Sequence, residues 1–465
     1  MRSRVLPLSA VLCLSLAVAP QPHAQAQAPA PQPPPAQPPG TEPAPPPKPN
    51  VTLILDRGPQ RAQIRLAFPA FRTAAPLGGD ATRALQELES TVRQDLAYSG
   101  YFEIQGPAEL AGAPLTGDVQ RDLEVYRSRN NQVLLTGDVK SEEDKLVFDG
   151  RLFDLGGGSS ILAKRYRGQY SVIRRMAHTF ADEVIHYLTG ANGIGLSTIA
   201  YTSDRTGHQE IFLMDYDGRN QRRVTGHRST SMSPAWSPNG DAIAYTSFVN
   251  GPPGIYVANL ESGGKKPLVT SGSLNTTPSW APDGEHLTFA RSLDGNVEIF
   301  SCDKNGGGLR RLTNSPAIDT NPTWSPKGGS IAFTSSRGGN PQIYLMDAEG
   351  SNQRRLTFDG TYNDGAAWSP DGDRITYTSR RDGTFQIAVT NAVTLETKVL
   401  TSGAGENESP TFSPDGRKIA FTSRRSGTKQ IYVMDASDGG NVRQLTDAGN
   451  NDMADWSRHS GEKDK

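Results

Sequence analysis

Residues 410–423 read PTFSPDGRKIAFTS, and residues 366–379, 44 positions earlier, read AAWSPDGDRITYTS. The phrase returns in variant form at 234–247, 278–291 and 322–335. Its aromatic keeps a strict 44-residue step through Trp236, Trp280, Trp324, Trp368, Phe412 and Trp456. A second series, Tyr201, Tyr245, Phe289, Phe333, Tyr377 and Phe421, holds the same spacing, as does a third, Ile211, Ile255, Ile299, Ile343, Ile387 and Ile431. Three series in one register define a repeat architecture.

Each unit carries an aromatic strand A, a strand B of the I-A-F-T-S type, a strand C of the I-Y-x-M-D type and a short strand D of the R-R-L-T type. The fragments are rich in β-branched and aromatic residues and bounded by turn chemistry, which reads as strand. The P-D-G at Pro282-Asp283-Gly284, Pro370-Asp371-Gly372 and Pro414-Asp415-Gly416 makes the A–B turn. There proline presets one φ and glycine accepts φ > 0. Four strands in 44 residues suit a β-propeller blade, and no window shows sustained helical periodicity. The repeats open at Ile199 with a strand B and close at Ala454-Asp455-Trp456-Ser457 with a strand A. The last strand is therefore expected to complete the first blade beside residues 199–203, closing a six-bladed ring and hiding its edges. The Trp or Phe of strand A is expected to pack between blades.

Ahead of the propeller the chain changes character. Arg2, Arg4 and an apolar run from Val5 to Ala19 read as a secretory signal peptide, with cleavage after Ala26. The run is too short for a stable membrane anchor, so no membrane insertion is expected of the mature form. Cys13 is preceded by Leu12, where a lipidated cysteine would follow a small residue. Residues 27–49 form a Pro-rich linker. Removing residues 1–26 takes away two arginines and no acids, moving the net charge from −1 to −3. That balance carries no footprint for nucleic acid. Cys302 would be the sole cysteine of the mature chain, a small apolar filler where other blades carry Met214, Met346 and Met434.

Residues 50–195 read as a smaller α/β domain, with strands at Val51–Leu55, Ile64–Phe68, Val133–Thr136, Leu146–Phe148 and Ile161–Ala163. One helix begins at Asp80, the expected N-cap, and stops at Gly100; another runs from Ser171 to Leu188 and ends at Gly190. Gly156-Gly157-Gly158 is a turn and not a phosphate cradle, because no helix start follows it. The propeller is placed at 196–458, with a tail at 459–465.

No enzyme constellation is visible. G-x-S-x-G and H-E-x-x-H are both missing from the sequence. His178 and His186, eight apart on the last helix, have no cysteine or carboxylate set for a metal and read as a packed or solvated face. No catalytic residue, metal or cofactor is expected. What varies between blades is the crossing from D to the next A: Ser231-Met232-Ser233, Asn275-Thr276-Thr277, Asp319-Thr320-Asn321, Asn363-Asp364-Gly365, Asn407-Glu408-Ser409 and Asn450-Asn451-Asp452. Read as loops on one rim of the ring, these present polar, non-repeating side chains on a rigid frame, the pattern of a binding surface.

The blade phrase P-x-W-S-P-D-G-x-x-I-A-[FY]-T-S resembles the TolB propeller repeat. Ala177-His178-Thr179, Ala181-Asp182-Glu183-Val184 and Leu188-Thr189-Gly190 look like the TolB junction between domains. The family resemblance implies a non-enzymatic periplasmic component of the Tol-Pal system, serving outer-membrane integrity and constriction at cell division. It implies docking of a peptidoglycan-associated lipoprotein (Pal) on the propeller rim. Carried over by position, Thr276, Thr277, Asp319, Thr320 and Asn321 would contact Pal; Asn363, Asp364 and Glu408 extend that set around the rim. It further implies that Val51, Thr52, Leu53, Ile54, Leu55 and Asp56 engage a TolA-like inner-membrane protein. Two departures stand out: Leu274 replaces a histidine frequent in the family, and the Pro-rich spacer precedes the 51–56 strand. The protein is expected to be a monomer. The alternatives are a small-ligand or glycan-binding periplasmic propeller and the gating propeller of a serine peptidase.

Overall fold

The computed structural model describes residues 63–110, 115–293, 295–403 and 405–457. The leader, the linker, the 51–56 strand and the 459–465 tail lie outside the described residues.

Six four-stranded antiparallel sheets make up the propeller. Blade 4 shows the plan: A (Asp319–Trp324), B (Ser330–Ser335), C (Gln342–Asp347) and a two-residue D (Arg354–Arg355). Blade 1 takes its strand A from the chain end, Asn451–Trp456, which pairs antiparallel with Thr198–Ser203. Asn451 lies opposite Ser203 and Trp456 opposite Ile199. Ser457 extends the ladder by donating its N–H to the Thr198 carbonyl at 2.8 Å. The expected closure is thus present in its expected register.

The three sequence series are packing positions. Every member of the isoleucine series is fully buried, and the strand B aromatics are at most 1% exposed. The strand A aromatics sit at blade junctions. Trp324 of blade 4 packs in one cluster with Ile299 and Leu312 of blade 3. Trp368 joins Leu345 and Leu356 of blade 4, and Phe412 joins Val389 and Leu400 of blade 5. Trp236 and Trp280 are partly buried. Cys302 is buried opposite Leu287, and burial pushes its thiol up to about 12, which makes it an inert filler.

The D-strand R-R-L-T phrase has a separate purpose. Thr357 Oγ1 accepts the Ile343 N–H at 3.0 Å and donates to Gln342 Oε1 at 2.8 Å. The same oxygen takes Asn363 Nδ2 of the next blade at 2.7 Å. Equivalent threonines at 401 and 446 do the same with Gln386 and Gln430. These satisfied polar groups tie C, D and the next A together inside the sheet.

The N-terminal domain is a mixed sheet with its first and last helices packed in one core cluster and the helix between them in another. In chain order it runs β1 (Ile64–Ala67), β2 (Arg72–Thr73), α1 (Gly79–Ser99), β3 (Phe102–Gln105), α2 (Val119–Ser128), β4 (Val133–Glu142), β5 (Lys145–Asp154), β6 (Ser159–Gln169) and α3 (Ile173–Thr189). The sheet order is β3-β1-β4-β5-β6, with β2 pairing β4 beyond the end of β1. Leu88, Val92 and Leu96 of α1 meet Phe180, Val184 and Leu188 of α3 over the sheet.

The sequence reading needs four corrections here. Asp80 is inside α1, not its cap; Gly78 holds the N-cap position with no side-chain bond, and Asp80 pairs instead with Arg83. The read strands β4, β5 and β6 run to 10 or 11 residues, because alternating polar positions such as Asp138 and Lys140 continue the ladder. α2 and β3 were not expected; α2 offers a genuine cap at Asp118, whose carboxylate accepts from the Gln120 and Arg121 N–H groups. Finally, His178 is buried whereas His186 is exposed, so the two share no working face. Gly156 and Gly157 do form a turn, their N–H groups donating to the Asp154 carboxylate.

The two parts meet through α1, α3 and blades 1 and 6, and all described residues fall in one compact unit that begins at Pro47. Arg174 of α3 reaches Asp217 of blade 1 at 2.7 Å, and Arg417 of blade 6 donates to the Ser99 carbonyl at 3.0 Å.

Candidate partner-binding face

The variable triplets are not loops. In each blade they open strand A, which lines the central channel. The first member is fully buried in every copy: Ser231, Asn275, Asp319, Asn363, Asn407 and Asn451. In the last blade the expected triplet began one residue early; the register of the ring is Asn451-Asp452-Met453. Asp319 pairs with Arg337 at 2.9 Å, and Asn363 is committed to Gln342 and the Asp359 carbonyl. Neither presents a surface to a partner in this conformation; both anchor the strand instead. Of the expected contact set, Asp319 and Asn363 are therefore the members buried in the sheet rather than placed at the mouth.

The third member is where the backbone departs from a regular strand. Ser233, Thr277, Asn321, Gly365, Ser409 and Met453 all have φ between 49° and 65°. Each inner strand shifts register at this point, between Thr276 and Ser279 in blade 3 and at the matching positions elsewhere. Only one of the six is glycine, so five side chains hold a left-handed conformation that ordinarily costs about 1–2 kcal/mol. The bulge is stitched to the preceding blade. Thr277 N–H donates to Thr246 Oγ1 at 3.1 Å and Ser409 N–H to Thr378 Oγ1 at 3.0 Å.

Around the mouth, chemistry is divided. The second position of the triplet is Met232, Thr276 and Thr320 in blades 2–4, but Asp364, Glu408 and Asp452 in blades 5, 6 and 1. Asp364 accepts Asn321 Nδ2, Thr334 Oγ1 and its own neighbour's Gly365 N–H, each at 2.7 Å, and the Tyr362 hydroxyl at 3.1 Å. Burial, reinforced by Asp364, pushes the Tyr362 phenol upward. Lys429, in the B–C turn of blade 6, bridges Asp452 at 2.5 Å and Glu408 at 3.3 Å. Burial opposes its charge, but the two carboxylates outweigh it and hold the ammonium above its ordinary range.

Thr277, Asn321, Asp364 and Glu408 thus line one cavity of about 390 Å³ with Tyr362 and Lys429. Thr276 and Thr320 are half-buried on the same inner strands but outside its lining. Lys429, Tyr362 and Phe385 were missed by the sequence reading. The signal was available: the 44-residue series Gln209, Pro253, Val297, Pro341, Phe385 and Lys429 is among the least uniform of the repeat. Among the described residues no cluster of three or more His, Cys, Asp or Glu has a metal-holding arrangement, and none of their helices is long and apolar enough to cross a membrane.

Comparison with known proteins settles the family. The model of the TolB β-propeller domain matches residues 185–411 and 367–463, more than half of the chain, and that of the TolB amino-terminal domain matches 56–161. The chain belongs to the TolB family. The crystal structure of TolB from Acinetobacter baumannii superposes with a TM-score of 0.73 at 27% identity, covering 85% of this chain and 97% of that one. The Tol-Pal system protein TolB of Syntrophotalea carbinolica is 36% identical over 191 residues, which is 39% of this chain and 44% of that relative. That of Geobacter metallireducens is 38% identical over 163 residues, 35% of this chain and 38% of the relative. These alignments therefore span less than half the length of the curated TolB proteins they match, whereas the structural likeness to the Acinetobacter TolB extends over nearly all of that chain.

Proposed function

We propose that this protein is a non-enzymatic periplasmic scaffold of the Tol-Pal envelope system. The propeller mouth takes a Pal-like lipoprotein, and residues 51–56 take a TolA-like inner-membrane protein. The assembly supports outer-membrane integrity and constriction during division. The observation that carries the reading is the mouth itself. Six blades repeat their core positions, yet the half-buried pair after the buried first position changes from Thr276-Thr277 to Thr320-Asn321, Asp364-Gly365 and Glu408-Ser409. A frame that repeats while its rim does not is how a rigid scaffold presents a specific surface. The TolB relatives carry Tol-Pal in their names, which supplies the system. The β-branched and apolar residues at 51–55 read as a strand in the sequence, and such a segment suits strand addition to a partner sheet.

One binding experiment separates the two surfaces. Purified mature protein is titrated with a soluble form of the lipoprotein and, separately, with a soluble fragment of the TolA-like protein. Thr277→Arg with Glu408→Arg is expected to weaken the lipoprotein at least tenfold, because two long cations would enter a packed mouth. The TolA-like protein should be unaffected. Deleting residues 27–56 is expected to do the reverse. A rim variant that binds the lipoprotein as tightly as the parent chain, or a deletion that loses both partners, contradicts the assignment.

A further inference from the structure

The joint between the N-terminal domain and the propeller gathers carboxylates from three elements around one small cavity. Asp95 of α1, Asp182 of α3 and Asp415 of the blade 6 A–B turn line one cavity of about 10 Å³, room for at most a single water. Asp95 has partners on both oxygens: His178 Nδ1 at 2.6 Å and the Tyr216 hydroxyl. The other nitrogen of His178 faces Arg174 at 3.2 Å.

Asp182 and Asp415 lack such partners. Asp182 accepts the Gly195 N–H at 3.1 Å, and Asp415 accepts the Arg417 N–H at 3.0 Å and the Ser413 hydroxyl. Among the described residues neither has a salt bridge, although Lys418 lies close to Asp415 and itself pairs with Asp435. Gly195 shows how closely the acids converge. A Cβ built there would meet Asp182 Oδ1 at 3.1 Å and Asp95 Oδ2 at 3.2 Å. Tyr98, against which Lys418 and Arg443 stack, lines the same cavity with a buried, unbonded hydroxyl. Of the flanking charges, Glu87, Arg174, Asp217 and Arg219 are engaged with one another, and Asp215, which burial pushes upward, accepts from Asn220 and lies 4.0 Å from Arg174.

We propose that this joint is a proton-gated hinge: closing it places protons on Asp182 and Asp415, and rising pH drives it open. The carboxyl groups behave accordingly. Burial, with Asp95 adding to it and Gly195 opposing it, pushes Asp182 up to about 7. Burial pushes Asp415 up to about 6 against the pull of Ser413, Lys418 and Arg374. A solvated aspartate titrates near about 3.9. The closed form therefore holds extra protons above about pH 4. Its advantage is complete below that point, is lost through pH 6 for Asp415 and pH 7 for Asp182, and is flat beyond. Each extra proton changes the open-to-closed ratio about tenfold per pH unit within its window.

Native-state hydrogen exchange on the full mature chain reads this directly. The amides of Gly195, Ser197 and Tyr216 bond across or beside the joint. Their protection, corrected for intrinsic exchange, is expected to fall at least tenfold between pH 5 and pH 7 and to level off above. Strand amides in blade 4 should stay within twofold. In Asp182→Asn with Asp415→Asn the slope should vanish. Joint amides that change less than twofold in the parent chain, a fall shared equally by blade 4, or an undiminished slope in the double variant would overturn the hinge; if that variant fails to fold, the parent profile alone decides.

Discussion

Removing residues 451–465 is expected to abolish the monomeric native state. The deletion takes away the inner strand of blade 1, with its ladder from Asn451–Ser203 to Trp456–Ile199. It uncovers Ile199 and Tyr201, which share a cluster with Trp456 and with Val433 and Leu445 of blade 6. The loss of one buried Trp alone is worth about 3–5 kcal/mol, and a whole domain is stable by only about 5–15 kcal/mol. The unpaired edge of the blade 1 strand B would then be free to recruit a second chain. Sedimentation velocity should show aggregate or higher oligomers in place of a single species. A truncated chain that sediments as a monomer and melts where the parent melts would mean that the ring does not depend on its closing strand.

Trp324→Ala carries the next largest effect. Trp324 is 7% exposed and joins Ile299 and Leu312 of one blade to Ile331 and Phe333 of the next. The truncation leaves a cavity at a junction between two rigid sheets, which cannot collapse far to fill it. The expected loss is about 3–5 kcal/mol, seen as a clear drop in melting temperature with lipoprotein binding retained at low temperature. Trp236→Ala should cost less, since Trp236 is only partly buried. An unchanged melting curve for Trp324→Ala would remove the series from the blade junctions.

These two results probe the part of the fold that was legible in the residues themselves. A closed ring of equal blades demands the same side-chain volume at the same place in each copy. Trp324, Phe333 and Ile343 therefore recur at fixed spacing, and the incomplete ends at Ile199 and Trp456 reveal the closure. The inner-strand bulge was not legible, although it too recurs every 44 residues. Left-handed φ at Ser233, Thr277, Asn321, Ser409 and Met453 follows from the register shift against strand B, and those residue types share no signature for it. Asp319 and Asn363 precede the shift and pair in regular register with Ser335 and Ser379. Both are polar, and only the structure shows their partners Arg337 and Gln342 already in place inside the sheet. In the N-terminal domain, α2 escaped notice because its buried side consists of little beyond Leu123 and Tyr126. Lys429 escaped because it sits in a turn, away from the triplets that attracted attention.

The central claim is that a closed six-bladed frame presents its non-repeating mouth to another protein. Its most direct test is a hydrogen-exchange footprint of the mature chain with and without saturating soluble lipoprotein domain. The account predicts slowed exchange in segments 276–277, 320–321, 364–365, 408–409 and 428–430, with the N-terminal sheet and the outer D strands unchanged. A footprint confined to the N-terminal domain or to the outer D strands, leaving those mouth segments at their free rates, would contradict it.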